Sequence, residues 1–173
     1  MNLTRIFRHL LAPHWLTHRA FPAATMREIE SAVAAAEQRH VGELRFVAEA
    51  GLPVGDLWND MSARQRATEV FARLRVWDTE HNSGVLIYVQ LVDRRVEIVA
   101  DRGISAKVDQ SSWEAICRSM EQAFGDGAYA RGSLEAVESV GKLLATNFPA
   151  LPESVSHSAS ANVNELPDRP VLL

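Results

Sequence analysis

The 173-residue chain is 47% apolar and 23% charged, the balance of a globular protein rather than a disordered one. Eighteen basic against twenty-two acidic side chains give a net charge of −4, without the clustered Lys and Arg that a nucleic-acid footprint needs. The single cysteine, Cys117, excludes an intrachain disulfide and a Cys-only zinc site.

Residues 1–22 read as an N-terminal arm. Arg5, Arg8, His9, Pro13, His14 and His18 interrupt each apolar run, so the segment lacks the continuous apolar stretch of a secretory signal. The longest apolar run, Val85–Val92, has a strand's length and not that of a membrane span. The expectation is a cytoplasmic protein with no transmembrane segment. Leu3, Ile6, Phe7, Leu10 and Leu11 have helical spacing with Arg5, Arg8 and His9 between them. Residues 3–11 therefore read either as an amphipathic helix in peripheral contact with a membrane or as a helix packed on its own domain or a second copy.

A compact domain is expected over residues 23–149. Thr25-Met-Arg-Glu28 has the form of a capping box, and Met26, Ile29, Val33 and Ala36 follow at helical spacing. Glu43–Ala50 alternates as a strand, with Leu44, Phe46 and Ala48 on one side and Glu43, Arg45, Val47 and Glu49 on the other. Ser62-Ala-Arg-Gln65 caps a helix running to about residue 76, striped by Ala67, Val70, Phe71 and Leu74. After a polar loop, Val85–Val92 reads as a central strand buried on both faces. Asp93-Arg94 reads as a two-residue turn, and Arg95–Asp101 as the returning strand. Ser111 opens a helix striped by Trp113, Ile116, Cys117, Met120 and Phe124, and another runs from about Ser133 to Thr146. Residues 150–173 read as a C-terminal tail, either untethered or docking its apolar Pro-Val-Leu-Leu end on a partner or a sheet edge. The order α-β-α-β-β-α-α predicts an α/β three-layer sandwich. Its small mixed sheet, one parallel crossover plus an antiparallel hairpin, is covered by helices on both faces.

The central residues carry a resemblance. Asn82-Ser-Gly-Val-Leu-Ile-Tyr-Val, followed by Asp93-Arg-Arg-Val-Glu-Ile-Val-Ala-Asp-Arg-Gly-Ile104, is similar to the central motif of the TPM domain. That motif is an Asn-Gly-Val-Leu strand, an Asp-Arg turn and a strand ending in a Gly-aromatic-Gly-Leu loop. The spacing Phe124, Tyr129, Gly132 fits as well, and the resemblance spans roughly residues 23–149. It implies an α/β sandwich, calcium or other divalent ions in some members, and acid phosphatase activity in a plant thylakoid branch. It also implies LemA-like membrane proteins as frequent companions. Here Asp101-Arg-Gly-Ile-Ser105 stands where the family has Gly-aromatic-Gly-Leu-Glu, and Ala128 where an acidic residue usually precedes the tyrosine.

One constellation suggests chemistry. A two-residue turn at Asp93-Arg94 sets residue 101 near residue 86, at the sheet edge where Gly84 enters its strand. Asp78, Glu80, Asn82 and Asp101 then converge as oxygen ligands for a hard cation, Ca²⁺ or Mg²⁺, with Arg102 beside them as a phosphate contact. The alternative is a polar loop whose Asp and Asn side chains make local turns, with Arg94, Arg95 and Arg102 in surface ion pairs. His81 is the histidine nearest this loop. Cys117 reads as a small core hydrophobe, and Trp15, Trp58, Trp77 and Trp113 as core or interface anchors. Two functional classes result: a protein-interaction module whose partner is a LemA-like membrane protein or another TPM protein, and a divalent-metal-dependent phosphatase.

Overall fold

A computed structural model describes residues 3–13, 15–150 and 164–173. Four strands form one sheet in the order β3-β2-β1-β4. Strands β1 (Glu43–Glu49) and β2 (Gly84–Gln90) pair in parallel, β3 (Arg95–Ala100) returns antiparallel to β2, and β4 (Val171–Leu172) adds in parallel to the far edge of β1. The α/β reading holds, with a mixed sheet as expected.

Each face of the sheet is covered because each carries apolar residues at the strand period of two. On one face Leu44, Phe46, Val85, Ile87 and Ile98 pack against α3 (Ala23–Glu37), α7 (Gln110–Gly125) and α8 (Tyr129–Asn147). On the other, Val47, Leu86, Tyr88 and Val99 meet Ala67, Val70 and Phe71 of α5 (Ala63–Arg73), with Leu166 completing the cluster. The arm folds as α1 (Leu3–Leu10) and α2 (Trp15–Ala20), and short helices α4 (Val54–Trp58) and α6 (Arg102–Ser105) fill two connections.

Several local expectations change. Ser62 and Gln65 do form a reciprocal capping box, but Thr25-Met-Arg-Glu28 does not. Pro22, with φ −63 and ψ 161, is the N-cap of α3 and no side chain caps it; the helix starts at Ala23 and leaves Thr25 inside its first turn. Helix α8 begins at Tyr129 rather than Ser133. The hairpin connection is four residues, because Gln90 pairs with Arg95. The Gln90 side chain accepts the Asp93 amide at 2.9 Å and holds that longer turn. Residue 101 therefore lies opposite Gly84, whose carbonyl accepts its amide at 2.8 Å, and not opposite residue 86.

Strand β1 is buried along its whole length, including Glu43, Arg45 and Glu49. Glu49 forms a two-pronged ion pair with Arg66 of α5 at 2.7 and 3.0 Å and accepts the Tyr88 hydroxyl. Glu43 accepts the backbone amide of Leu166 at 3.1 Å. Residues 164–173 thus return to the sheet, with β4 as the edge strand; residues 151–163 lie outside the described residues. Glu37, at the end of α3, accepts the Leu44 amide at 2.8 Å and shares a hydrogen bond with Asp168.

Burial pushes the Glu37 carboxyl up to about 9, against the Leu44 amide, and the charges of Glu43 and Asp168 add to the rise. The folded chain therefore keeps a proton that the unfolded chain loses near 4.5. This contribution is full below that value and is lost as pH rises through about 9, so stability falls across the window. Glu37→Gln, which keeps an acceptor for Leu44 and a donor for Asp168, is expected to flatten that decline in urea denaturation between about pH 5 and pH 9. An unchanged slope would show that Glu37 is ionised in the folded protein.

Candidate functional site

The acidic edge is built around a crowded turn. Asp101 is the N-cap of α6; its Oδ1 accepts the Arg102 amide at 2.7 Å. The Arg102 Nε donates to Asn82 Oδ1 at 3.0 Å. A Cβ at Gly103 would lie 2.6 Å from the Asn82 carbonyl oxygen, and one at Gly84 only 1.8 Å from that of Val76. Glycine is therefore required at both places for the loop to reach the sheet.

Asn82, Asp101 and Arg102 are brought together; Asp78 and Glu80 are not drawn into the cluster. Both are exposed, and the Glu80 amide is held by the Glu165 carboxylate at 3.0 Å. Among the described residues, no group of three or more His, Cys, Asp or Glu side chains is placed to hold a metal ion. One observation fits a ligand: Asp101 Oδ2 is buried without a hydrogen-bond partner. Against it, the Asn82 oxygen is already engaged by a guanidinium, whose charge opposes a cation beside it. His81 is exposed on this loop.

The second site is the N-terminal corner. Its anchor is Asp93, set by Gln90 at the end of β2. Arg5 clasps the Asp93 carboxylate through Nε and Nη2 at 3.0 and 2.8 Å, and its Nη2 also donates to the Met61 carbonyl. His9 Nδ1 accepts the Leu52 amide at 2.9 Å, leaving Nε2 to donate to Asp93 Oδ1 at 3.0 Å. Burial pushes the Asp93 carboxyl up, but the hydrogen bonds from Arg5 and His9, with the Arg5 charge, outweigh it and hold the group below its ordinary value. Arg8 donates to the Val92 carbonyl.

These bonds, with Ile6 packed on Leu52 and Leu57, fix the polar and narrow side of α1 inward. The wide apolar side then faces out. Phe7 and Leu11 are 65% and 73% exposed, and Leu3 and Leu10 lie beside them. Val54 and Trp58, on the α4 helix that packs against α1, are exposed as well, as is Trp15 of α2. The Arg19 guanidinium sits 5.9 Å from the Trp15 ring centroid. Four of the eighteen basic side chains and none of the twenty-two acidic ones fall in residues 1–27. The helical spacing of residues 3–11 announced this face; His9, Asp93 and Leu52 gave no sign, because their contacts join positions more than forty residues apart.

Of the four tryptophans, Trp113 is core and Trp15, Trp58 and Trp77 are exposed. Burial pushes the Cys117 thiol up to about 12, which removes the thiolate that reactivity needs.

The TPM domain model matches residues 18–143. The NMR structure of BA42 protein from the psychrophilic bacterium Bizionia argentinensis superposes with a TM-score of 0.72 at 27% identity, covering 88% of this chain and 95% of that one. The N-terminal domain of a P. gingivalis protein superposes with a TM-score of 0.59 at 18% identity, covering 79% and 90%, and shares the fold. No curated protein matches the sequence. No helix among the described residues is long and apolar enough to cross a membrane.

Proposed function

The chain belongs to the TPM domain family, and from that premise we propose that it is a non-enzymatic interaction module that docks on a membrane-associated protein through its N-terminal corner. The observation that carries this reading is the direction in which α1 is fastened. Its polar contacts with Asp93 and Leu52 are spent inward, and Leu3, Phe7, Leu10 and Leu11 are left outward beside Val54 and Trp58. Exposed apolar side chains gathered on one side of an anchored helix mark a protein or membrane contact surface. The family resemblance makes a LemA-like membrane protein, or another TPM protein, the partner to test first.

The expected outcome for Phe7→Ser/Leu11→Ser is loss of capture of a co-expressed LemA-like protein. Its unfolding free energy should stay within about 0.5 kcal/mol of the parent, as for other exposed positions. Capture at the parent level would overturn the assignment. Equal binding of the parent to protein-free anionic vesicles would move it from a protein partner to the lipid surface itself.

A second reading, a divalent-metal-dependent phosphatase, is supported by the buried, partnerless Asp101 Oδ2. Asp101 and Asn82 would hold Ca²⁺ or Mg²⁺, with Asp78 and Glu80 moving in from the exposed loop. A bound ion supplies polarisation of a phosphoryl oxygen and a more acidic water. Arg102 would leave Asn82 to meet the developing charge. Calorimetric titration of chelator-stripped protein should then show saturable Ca²⁺ or Mg²⁺ binding that Asp101→Asn abolishes. Equal binding by the variant would sink this reading.

A further inference from the structure

Parallel strands in an open α/β sheet place their carboxyl ends along one edge, where ligands of such folds gather. In this protein that edge is the end of β1 and β2 at Glu49 and Gln90. There a cavity of about 230 Å³ opens between the hairpin connection and the α7–α8 junction. It is remote from the acidic turn at Asp101, which lies at the opposite end of the hairpin, and independent of the docking face proposed above.

The cavity has two kinds of wall. Val89, Leu91, Phe124 and Tyr129 make an apolar one. Its rings are fixed: Phe124 and Tyr129 lie 5.0 Å apart, and each packs edge-on against the fully buried Phe21, at 6.1 and 5.7 Å. The other wall is cationic. Arg94 lines the mouth, and among the described residues its side chain makes no hydrogen bond or ion pair. Its backbone is held at φ 54, in the left-handed region that few side-chain-bearing residues adopt. Arg95 lines the cavity beside it. The one carboxylate in the lining, Glu121, already accepts the Val96 amide at 3.1 Å and lies 3.7 Å from Arg95, so its charge is offset.

Helix α8 adds to this. It is 19 residues long, no side chain caps its start, and Gly127 and Tyr129 at that start line the cavity. The amide end of a helix carries partial positive charge and favours anions. A dry apolar cavity of about 150 Å³ accepts a benzene molecule, so the present one has room for a ring and a headgroup.

We propose that this cavity binds a small organic anion. An aromatic or branched aliphatic body lies against Phe124 and Tyr129, and a carboxylate or phosphomonoester headgroup lies between Arg94 and the start of α8.

Amide NMR titration of the full chain tests this with four probes: phenyl phosphate, benzoate, neutral benzyl alcohol and inorganic phosphate. The expected result is saturable shifts at Gln90, Arg94, Gly127 and Tyr129 with phenyl phosphate or benzoate, the tighter of the two naming the headgroup. Benzyl alcohol and inorganic phosphate should each bind more weakly, since each lacks one half of the recognition. Arg94→Gln, at an exposed position outside the core, should weaken the anion by on the order of tenfold, the scale of one charged hydrogen bond. Arg118→Gln on the outer side of α7 should leave it unchanged. The proposal is overturned if neither anion shifts these amides saturably, if benzyl alcohol binds as tightly as the anions, or if Arg94→Gln binds like the parent.

Discussion

Strand β1 buries all seven of its residues although three of them are charged, and the seating of α5 and of residues 164–173 follows from the partners of two of them, Glu49 and Glu43. An unpaired charge in such a place costs several kcal/mol, and breaking a buried pair typically costs about 3–5 kcal/mol. Glu49 therefore fixes where Arg66 must lie, and with it the seat of α5 on the sheet. The Tyr88 hydroxyl, on the neighbouring strand, closes the same network. At the other end Glu43 and the protonated Glu37 work through hydrogen bonds instead, and the Leu166 amide and Asp168 bring residues 164–173 over the sheet edge. The apolar contacts of Val47, Leu86 and Val70 supply the adhesion, and the buried polar contacts of Glu49, Glu43 and Glu37 supply the register.

Both sheet faces are covered and the β1 edge is taken by β4, and the candidate surfaces lie at the ends of the sheet. Three surfaces there are furnished differently. The acidic turn at Asp101 is knitted by its own Arg102 and by two obligatory glycines. The hairpin end opens into the cavity between Arg94 and Tyr129. The N-terminal corner hangs on the same hairpin turn through Asp93. Gln90 links the last two, since it lines the cavity and sets the turn that carries Asp93. Asp93 in turn decides which side of α1 faces out. A single buried amide at the end of β2 therefore positions two of the three surfaces on which function is argued.

Much of this architecture was legible in the sequence, and the remainder was hidden for physical reasons. The apolar run Val85–Val92, broken only by Gln90, marked a strand buried on both faces, and Ser62 with Gln65 marked a helix start, because those signals are local. Thr25 with Glu28 imitated the same motif, but Pro22 began the helix first. The hairpin register moved by two residues because the turn is set by the buried Gln90 side chain, which no turn propensity encodes. The tail showed only its Pro-Val-Leu-Leu end. The docking of Leu166 depends on Glu43, 123 positions away. Of Asp78, Glu80, Asn82 and Asp101, the last two lie on either side of Arg102, whose side chain binds Asn82 and whose amide binds Asp101, while Asp78 and Glu80 stay exposed; only the three-dimensional course of the loop decides this.

The central claim is that α1 is fastened to the domain with its apolar side outward. The direct measurement is methyl relaxation of the full chain in the presence of a soluble paramagnetic agent. The Ile6 methyls are predicted to be shielded as fully as those of the core, while those of Leu3, Leu10 and Leu11 relax strongly. Equal relaxation at all four residues would show an arm that is not anchored. Equal shielding at all four would show that the apolar face is already covered and is no docking surface.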